Sequence, residues 1–123
     1  MAYIDISIGI CYATQIPSQH LITEIDRLSP AELLIAEHDE IRYLIDSTVP
    51  VSLQGADAFD IERSTELLCR HFGVVTLAPF GFDNMNLAVA ASGALLRYIF
   101  ETNREAVSQI ESIKTYAPSD YMI

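Results

Sequence analysis

The sequence predicts an α/β fold. Three observations carry this: two β-rich stretches separated by Gly9 at the start, a strand–helix–strand pattern between residues 31 and 53, and strongly helical segments after residue 60. The stretch from Asp60 to Tyr121 organises the rest, because its middle is a long apolar helix crowded with Ala88, Ala90, Ala91, Ser92, Gly93 and Ala94. Small side chains let a helix press closely against a sheet or a neighbouring helix, so this one is expected to be largely buried.

Residues Ala2 to Ser7 and Ile10 to Thr14 read as a hairpin. Within the first, Tyr3, Asp5 and Ser7 alternate with Ala2, Ile4 and Ile6, placing Ile4 and Ile6 on one face. Pro17-Ser18 opens a helix with Ser18 as N-cap; Leu21, Ile22, Ile25 and Leu28 fall on one side, and Pro30 ends it. Ala31 to Ala36 is a short strand with little alternation, as expected of a strand covered on both faces. Asp39 to Asp46 reads as a short helix with Ile41, Leu44 and Ile45 inward. Val49 to Leu53 reads as a second strand, with Pro50 near its start. Gly55 to Asp57 is a turn. Asp60 then caps a helix that carries Ile61, Leu68 and Phe72 inward and stops at Gly73, a natural left-handed cap.

A length of 123 residues makes a single module over 1–123. At 50% hydrophobic and 20% charged residues, the chain can build a real core. The formal charge of −10, from 7 Lys and Arg against 17 Asp and Glu, argues against direct binding to a phosphate backbone. Cys11 and Cys69 lack metal-ligand spacing and read as reduced, small core residues. No apolar run reaches the ~18 residues of a membrane span, and no signal sequence opens the chain, so a cytoplasmic location is expected.

The strings HFGVVTLAPFGF, AVAASGALLRYIFETN and YAPSDYMI, together with RLSPAELLIAE upstream, closely resemble the connector domain (domain II) of bacterial MutS mismatch-repair proteins. The resemblance covers nearly the whole chain, with several unrelated strings in the right order. It implies an RNase H-like mixed sheet flanked by helices, within a fragment of a larger protein. One departure matters: the family has a further strand before the YIDIS segment, and that strand is absent here. It would sit centrally, beside strand 31–36. Either the segment is truncated before that strand, or its place is filled by the Ser112–Tyr116 segment or by a second copy, the latter through strand exchange in a homodimer.

By the same resemblance the domain is non-catalytic. It links the mismatch-reading part to the lever and ATPase parts and offers a docking surface to MutL. Its partners are then MutL, the other MutS domains and, through the parent protein, mismatched DNA in the nucleoid. No cofactor is expected here; ATP and Mg²⁺ belong to the parent, and the chain has no G-x-x-x-x-G-K-(S/T) string. The helix that resembles the one carrying the MutL contact has Glu62, Arg63, Glu66 and Arg70 on its outer side, with Leu67 between the two faces. The plainer reading is a solvated face with a repulsive Glu62–Glu66 pair and a favourable Glu66–Arg70 pair, each worth only ~0.2–0.5 kcal/mol.

The rival class is a metal-dependent nuclease of RNase H-like fold, which would hold two Mg²⁺ ions on clustered carboxylates. Asp5 is the candidate, with Glu24, Asp26, Glu32 or Asp60 as companions; the plainer reading makes Asp5 a polar strand-end residue. His20, His38 and His71 share no motif and read as surface or helix-edge residues. In the loop Phe80-Gly81-Phe82, the two aromatics are either core plugs under a turn or a contact with neighbouring domains.

Overall fold

The computed structural model describes residues 1–43, 49–82 and 84–116. In chain order the elements are β1 (Ala2–Asp5), β2 (Ile10–Ala13), α1 (Ser18–Leu28), β3 (Leu33–Ala36), β4 (Val51–Gln54), α2 (Ile61–Phe72), α3 (Asn86–Thr102), α4 (Arg104–Val107) and β5 (Ser112–Thr115). Short 3₁₀ turns cover Glu40–Tyr43, Ala56–Phe59 and Ala78–Phe80. The architecture is mixed α/β, with small sheets flanked by helices.

The hairpin forms and its alternation holds through Asp5. Ile6, expected beside Ile4, falls in the turn and is 43% exposed because the strand stops one residue earlier. Tyr3 lies opposite Tyr12 and Ile4 opposite Cys11 in the antiparallel β1–β2 pair. Gly9, at φ 70°, closes the turn; a side chain there would run into the Gln109 carbonyl. β5 adds in parallel to the far side of β2, pairing Cys11 with Ile113 and Ala13 with Thr115. The sheet therefore has one face of Cys11, Ala13 and Ile113, all buried, and an opposite face carrying Tyr3 and Tyr12. α3 packs on the first face. Its Ala88, Val89, Ala90, Ser92, Gly93, Ala94 and Leu96 are buried, as the run of small residues predicts.

β3 and β4 form a separate parallel pair, so the strands divide into sheets ordered β1-β2-β5 and β3-β4. This corrects one expectation: segment 112–116 does not lie beside β3 but pairs with β2, where Ile113 packs beside Cys11 in the core. Among the described residues, β1 and β3 each keep one edge without a strand. The mutual bonds of Met1 and Thr14 set the antiparallel alternation. Tyr3 and Asp5 therefore bond toward β2, and the backbone groups of Ala2 and Ile4 point to the open side. By the same logic, the bonds from Leu33 N to Pro50 O and Glu37 N to Gln54 O leave Leu34 and Ala36 facing away from β4. Strand β3 is half-buried apart from Ile35, not covered on both faces, and Val51 and Leu53 on β4 are exposed.

Three local expectations change. Ser18 is the first residue of α1 rather than its cap; Pro17 takes that position with no side-chain bond, and Ser29 in the left-handed region ends the helix before Pro30. The helix expected over 39–46 is a 3₁₀ turn at Glu40–Tyr43, while Leu44 and Ile45 lie outside the described residues. Ile61 is 42% exposed instead of inward. The buried positions of α2 begin one turn later, at Ser64, which seats on Gly93 of α3.

Candidate functional site

α2 is built for a fixed position. The Asp60 carboxylate accepts the Arg63 N–H at 3.1 Å, filling the N-cap role its sequence predicts. Gly73, at φ 67°, ends the helix in the left-handed region. In between, Ser64 and Leu68 are fully buried, and Leu67, Cys69 and Phe72 pack partly against the core. Ser64 seats directly on Gly93 of α3, where a Cβ would overlap its side chain.

With that side committed to the core, Glu62, Arg63, Glu66 and Arg70 are all exposed on the other. Leu67 is half-buried and anchors the helix more than it offers a contact. The ion pairs among the described residues are Arg27–Glu24 and Arg97–Glu101, so Glu66 and Arg70 do not form the expected i,i+4 bridge. Two acids and two bases thus stand on one rigid helix face without internal neutralisation by a bridge.

The carboxylates of the nuclease alternative are not gathered. Asp5 accepts bonds from Ser7 N at 3.1 Å and Ser7 Oγ at 2.6 Å, which ties off the hairpin turn. Glu24 is buried on α1 against Arg27, and Asp26 is exposed on the same helix. Glu32 accepts the Tyr98 hydroxyl, and Asp60 caps α2. No group of three His, Cys, Asp or Glu able to hold a metal occurs among the described residues. This geometry does not favour the nuclease reading.

The remaining candidates resolve as structure. Phe82 is buried and Phe80 lies 5.7 Å from Phe72, so the Phe80-Gly81-Phe82 loop plugs the core. Gly81, at φ 80°, lets that loop approach β5, where Thr115 Oγ1 donates to Phe80 O at 2.9 Å. His71 is half-buried, its Nε2 2.8 Å from the Ile110 carbonyl, while His20 and His38 are exposed. Both cysteines are free thiols. Burial pushes Cys11 up to about 12, with the Ser92 hydroxyl as its polar neighbour.

Two arrangements had no sequence signal. Gln15 Oε1 accepts the N–H groups of Leu87 at 3.0 Å and Ala88 at 3.2 Å, capping α3 from across the fold. Tyr116, just after β5, donates to Glu24 Oε1 at 3.2 Å. Contacts between residues 72 to 92 positions apart leave no local pattern to read. Among the described residues, no helix is long and apolar enough to cross a membrane.

The comparisons with known proteins agree with this picture. The family model described as MutS domain II matches residues 1–111. A DNA mismatch repair protein MutS from Dehalococcoides mccartyi is 35% identical over 122 residues, covering 99% of this chain and 14% of its own length. The MutS of Syntrophobacter fumaroxidans is 32% identical over 128 residues, covering 100% of this chain and again 14% of its own. That of Symbiobacterium thermophilum is 30% identical over 132 residues, covering 100% of this chain and 15% of its own. The chain therefore spans about one-seventh of these relatives. With the family model matching residues 1–111 and relatives at 30–35% identity over the whole chain, this chain belongs to the MutS domain II family.

Proposed function

We propose that the domain is a non-catalytic connector within a longer DNA mismatch-recognition protein, and that the outer face of α2 docks MutL. The connector links the mismatch-binding part to the ATPase part, which uses ATP and Mg²⁺ outside this domain. Mismatched DNA is met through the parent protein, in the cytoplasm and at the nucleoid. A charge of −10 supports little direct DNA contact by this domain. Mechanistically it is a rigid body, reoriented when ATP converts the parent to a clamp, so that the docking face is brought to its partner.

The observation that carries the docking reading is the seating of α2. Ser64 on Gly93 and buried Leu68 fix the helix, while Glu62, Arg63, Glu66 and Arg70 project from it. The test is a titration of the domain with the N-terminal ATPase domain of MutL, followed by residue-resolved NMR shifts. Shifts clustered at those four residues and lost in Glu66→Arg are expected. Shifts elsewhere, or unaffected by Glu66→Arg, overturn the docking face, and no shifts at high partner concentration leave a mechanical connector alone.

A second reading rests on the open edges of β1 and β3. We infer that the two sheets are parts of one RNase H-like sheet lacking a central strand, and that a second copy occupies the edge in a homodimer. The outward backbone groups of Ala2, Ile4 and Leu34 support this, because unpaired strand edges recruit strands. Light scattering across a concentration series should show a dimer, abolished by Ala2→Pro, which removes an outward N–H. A monomer at every concentration sinks this reading.

A further inference from the structure

The most shielded residue of α1 is a charged one. Glu24 is 7% exposed, whereas the apolar stripe of the helix, Leu21, Ile22, Ile25 and Leu28, is only half-buried. A helix held by its core contacts shows the reverse, with the apolar stripe sealed and the charges in water. α1 is instead fastened by polar bonds. Arg27 Nε donates to Glu24 Oε1 at 3.0 Å with a second bond from the same guanidinium, and the Tyr116 hydroxyl reaches the same oxygen at 3.2 Å. The Tyr3 hydroxyl is a further polar neighbour of Arg27. Tyr3 in turn stacks on Tyr12 at 4.8 Å and meets Tyr116 edge-on at 6.0 Å.

These contacts join four parts of the chain. α1 supplies the acid and the base, β1 and β2 supply two rings, and the residue after β5 supplies the third. We propose that α1 is a lid over this three-tyrosine face of the sheet, latched by Glu24, and that the latch couples the docking of α1 to the hold on the end of β5. Glu24 is the common point, since one carboxylate oxygen receives both the bond within α1 and the bond from Tyr116. Releasing that oxygen loosens the helix and the strand end together. With little apolar surface sealed beneath it, α1 can then lift without disturbing the α2–α3 core, and the tyrosine face is uncovered. The device is separate from the docking face on α2 and does not depend on it, because the tyrosine face is opposite the one that packs on α3.

Amide hydrogen exchange on the intact chain tests this, comparing the wild type with Glu24→Gln and with Tyr116→Phe, which loses only a hydroxyl. In Glu24→Gln, exchange over residues 18–28 and at the Tyr116 amide, which bonds Ala13 O at 3.0 Å, should accelerate together by about tenfold, with α2 and α3 unchanged. Tyr116→Phe should accelerate the same two regions by a smaller common factor. Acceleration in α1 with Tyr116 unaffected overturns the coupling. Unchanged exchange in both regions overturns the latch, and a rise spread over α2 and α3 as well shows Glu24 to be general scaffolding rather than a lid fastening. Should Glu24→Gln fail to fold, Tyr116→Phe alone decides between these outcomes.

Discussion

Gly93 of α3 and Ser64 of α2 meet at the point where the two helices cross, with no room for a Cβ on the glycine. Placing Gly inside a helix ordinarily costs ~0.5–1 kcal/mol relative to Ala. Here the missing methyl is what lets the helices close, so packing outweighs propensity.

Gly93→Ala should therefore destabilise the domain, although the same change in an exposed helix would stabilise it. The Cβ would strike the Ser64 side chain and its backbone, and overpacking of this kind costs about 1–3 kcal/mol. A fall in the urea midpoint at unchanged m-value is the expected result. An unchanged or raised midpoint would show that α2 can shift to accommodate the methyl.

Asp60→Ala removes the side-chain acceptor at the start of α2. The loss should be about 1 kcal/mol, or roughly 4 °C in melting temperature for a domain of this size. Asp60→Asn, which keeps an acceptor, should retain most of it. Thermal unfolding of the three proteins side by side is the measurement.

The Glu24 carboxyl is held below its ordinary value of about 4.5, first by the hydrogen bond from Arg27, with the Arg27 charge and Tyr116 assisting against the opposing effect of burial. A depressed folded-state pKa means the unfolded chain binds the proton more readily. The associated stability is thus fully present above about pH 4.5 and is lost as pH falls through the lower folded-state value. Glu24→Gln should flatten the acid limb of the stability–pH curve. An identical slope in wild type and variant would contradict that assignment.

The two thiols should differ in reactivity. Cys11 is 2% exposed with its thiol pushed up to about 12, so almost no thiolate forms near neutral pH. Cys69 is half-buried near the surface of α2. A thiol-specific reagent at pH 8 should label Cys69 first, with Cys11 modified only as the domain opens. Mass spectrometry of the partly labelled protein would show the order.

Much of this molecule was legible from local pattern. Hairpin alternation as far as Asp5, the Asp60 cap, the Gly73 stop and the small-residue face of α3 each depend on neighbours within a few positions, and each stands as read. The outward set Glu62, Arg63, Glu66 and Arg70 follows from helical spacing in the same way. Ile61 broke the pattern because periodicity gives the side of the helix a residue lies on, but not how deeply its first turn is covered. Glu66 and Arg70 have the spacing of a pair, yet two long exposed side chains gain little by bridging in water.

By itself, the sequence determined the family, the α/β character and the identity of the buried helix, since these rest on ordered strings and periodicity along the chain. Only the tertiary structure decided that β5 joins β2 and not β3, that Gln15 caps α3, and that Glu24 receives Tyr116 from 92 positions away. Such contacts follow from how a sheet edge and a helix end come together in space, and no local preference of the residues involved encodes the meeting. Strand 112–115 carries a single apolar side chain, and the packing of that Ile113 beside Cys11 in the core accompanies its pairing with β2.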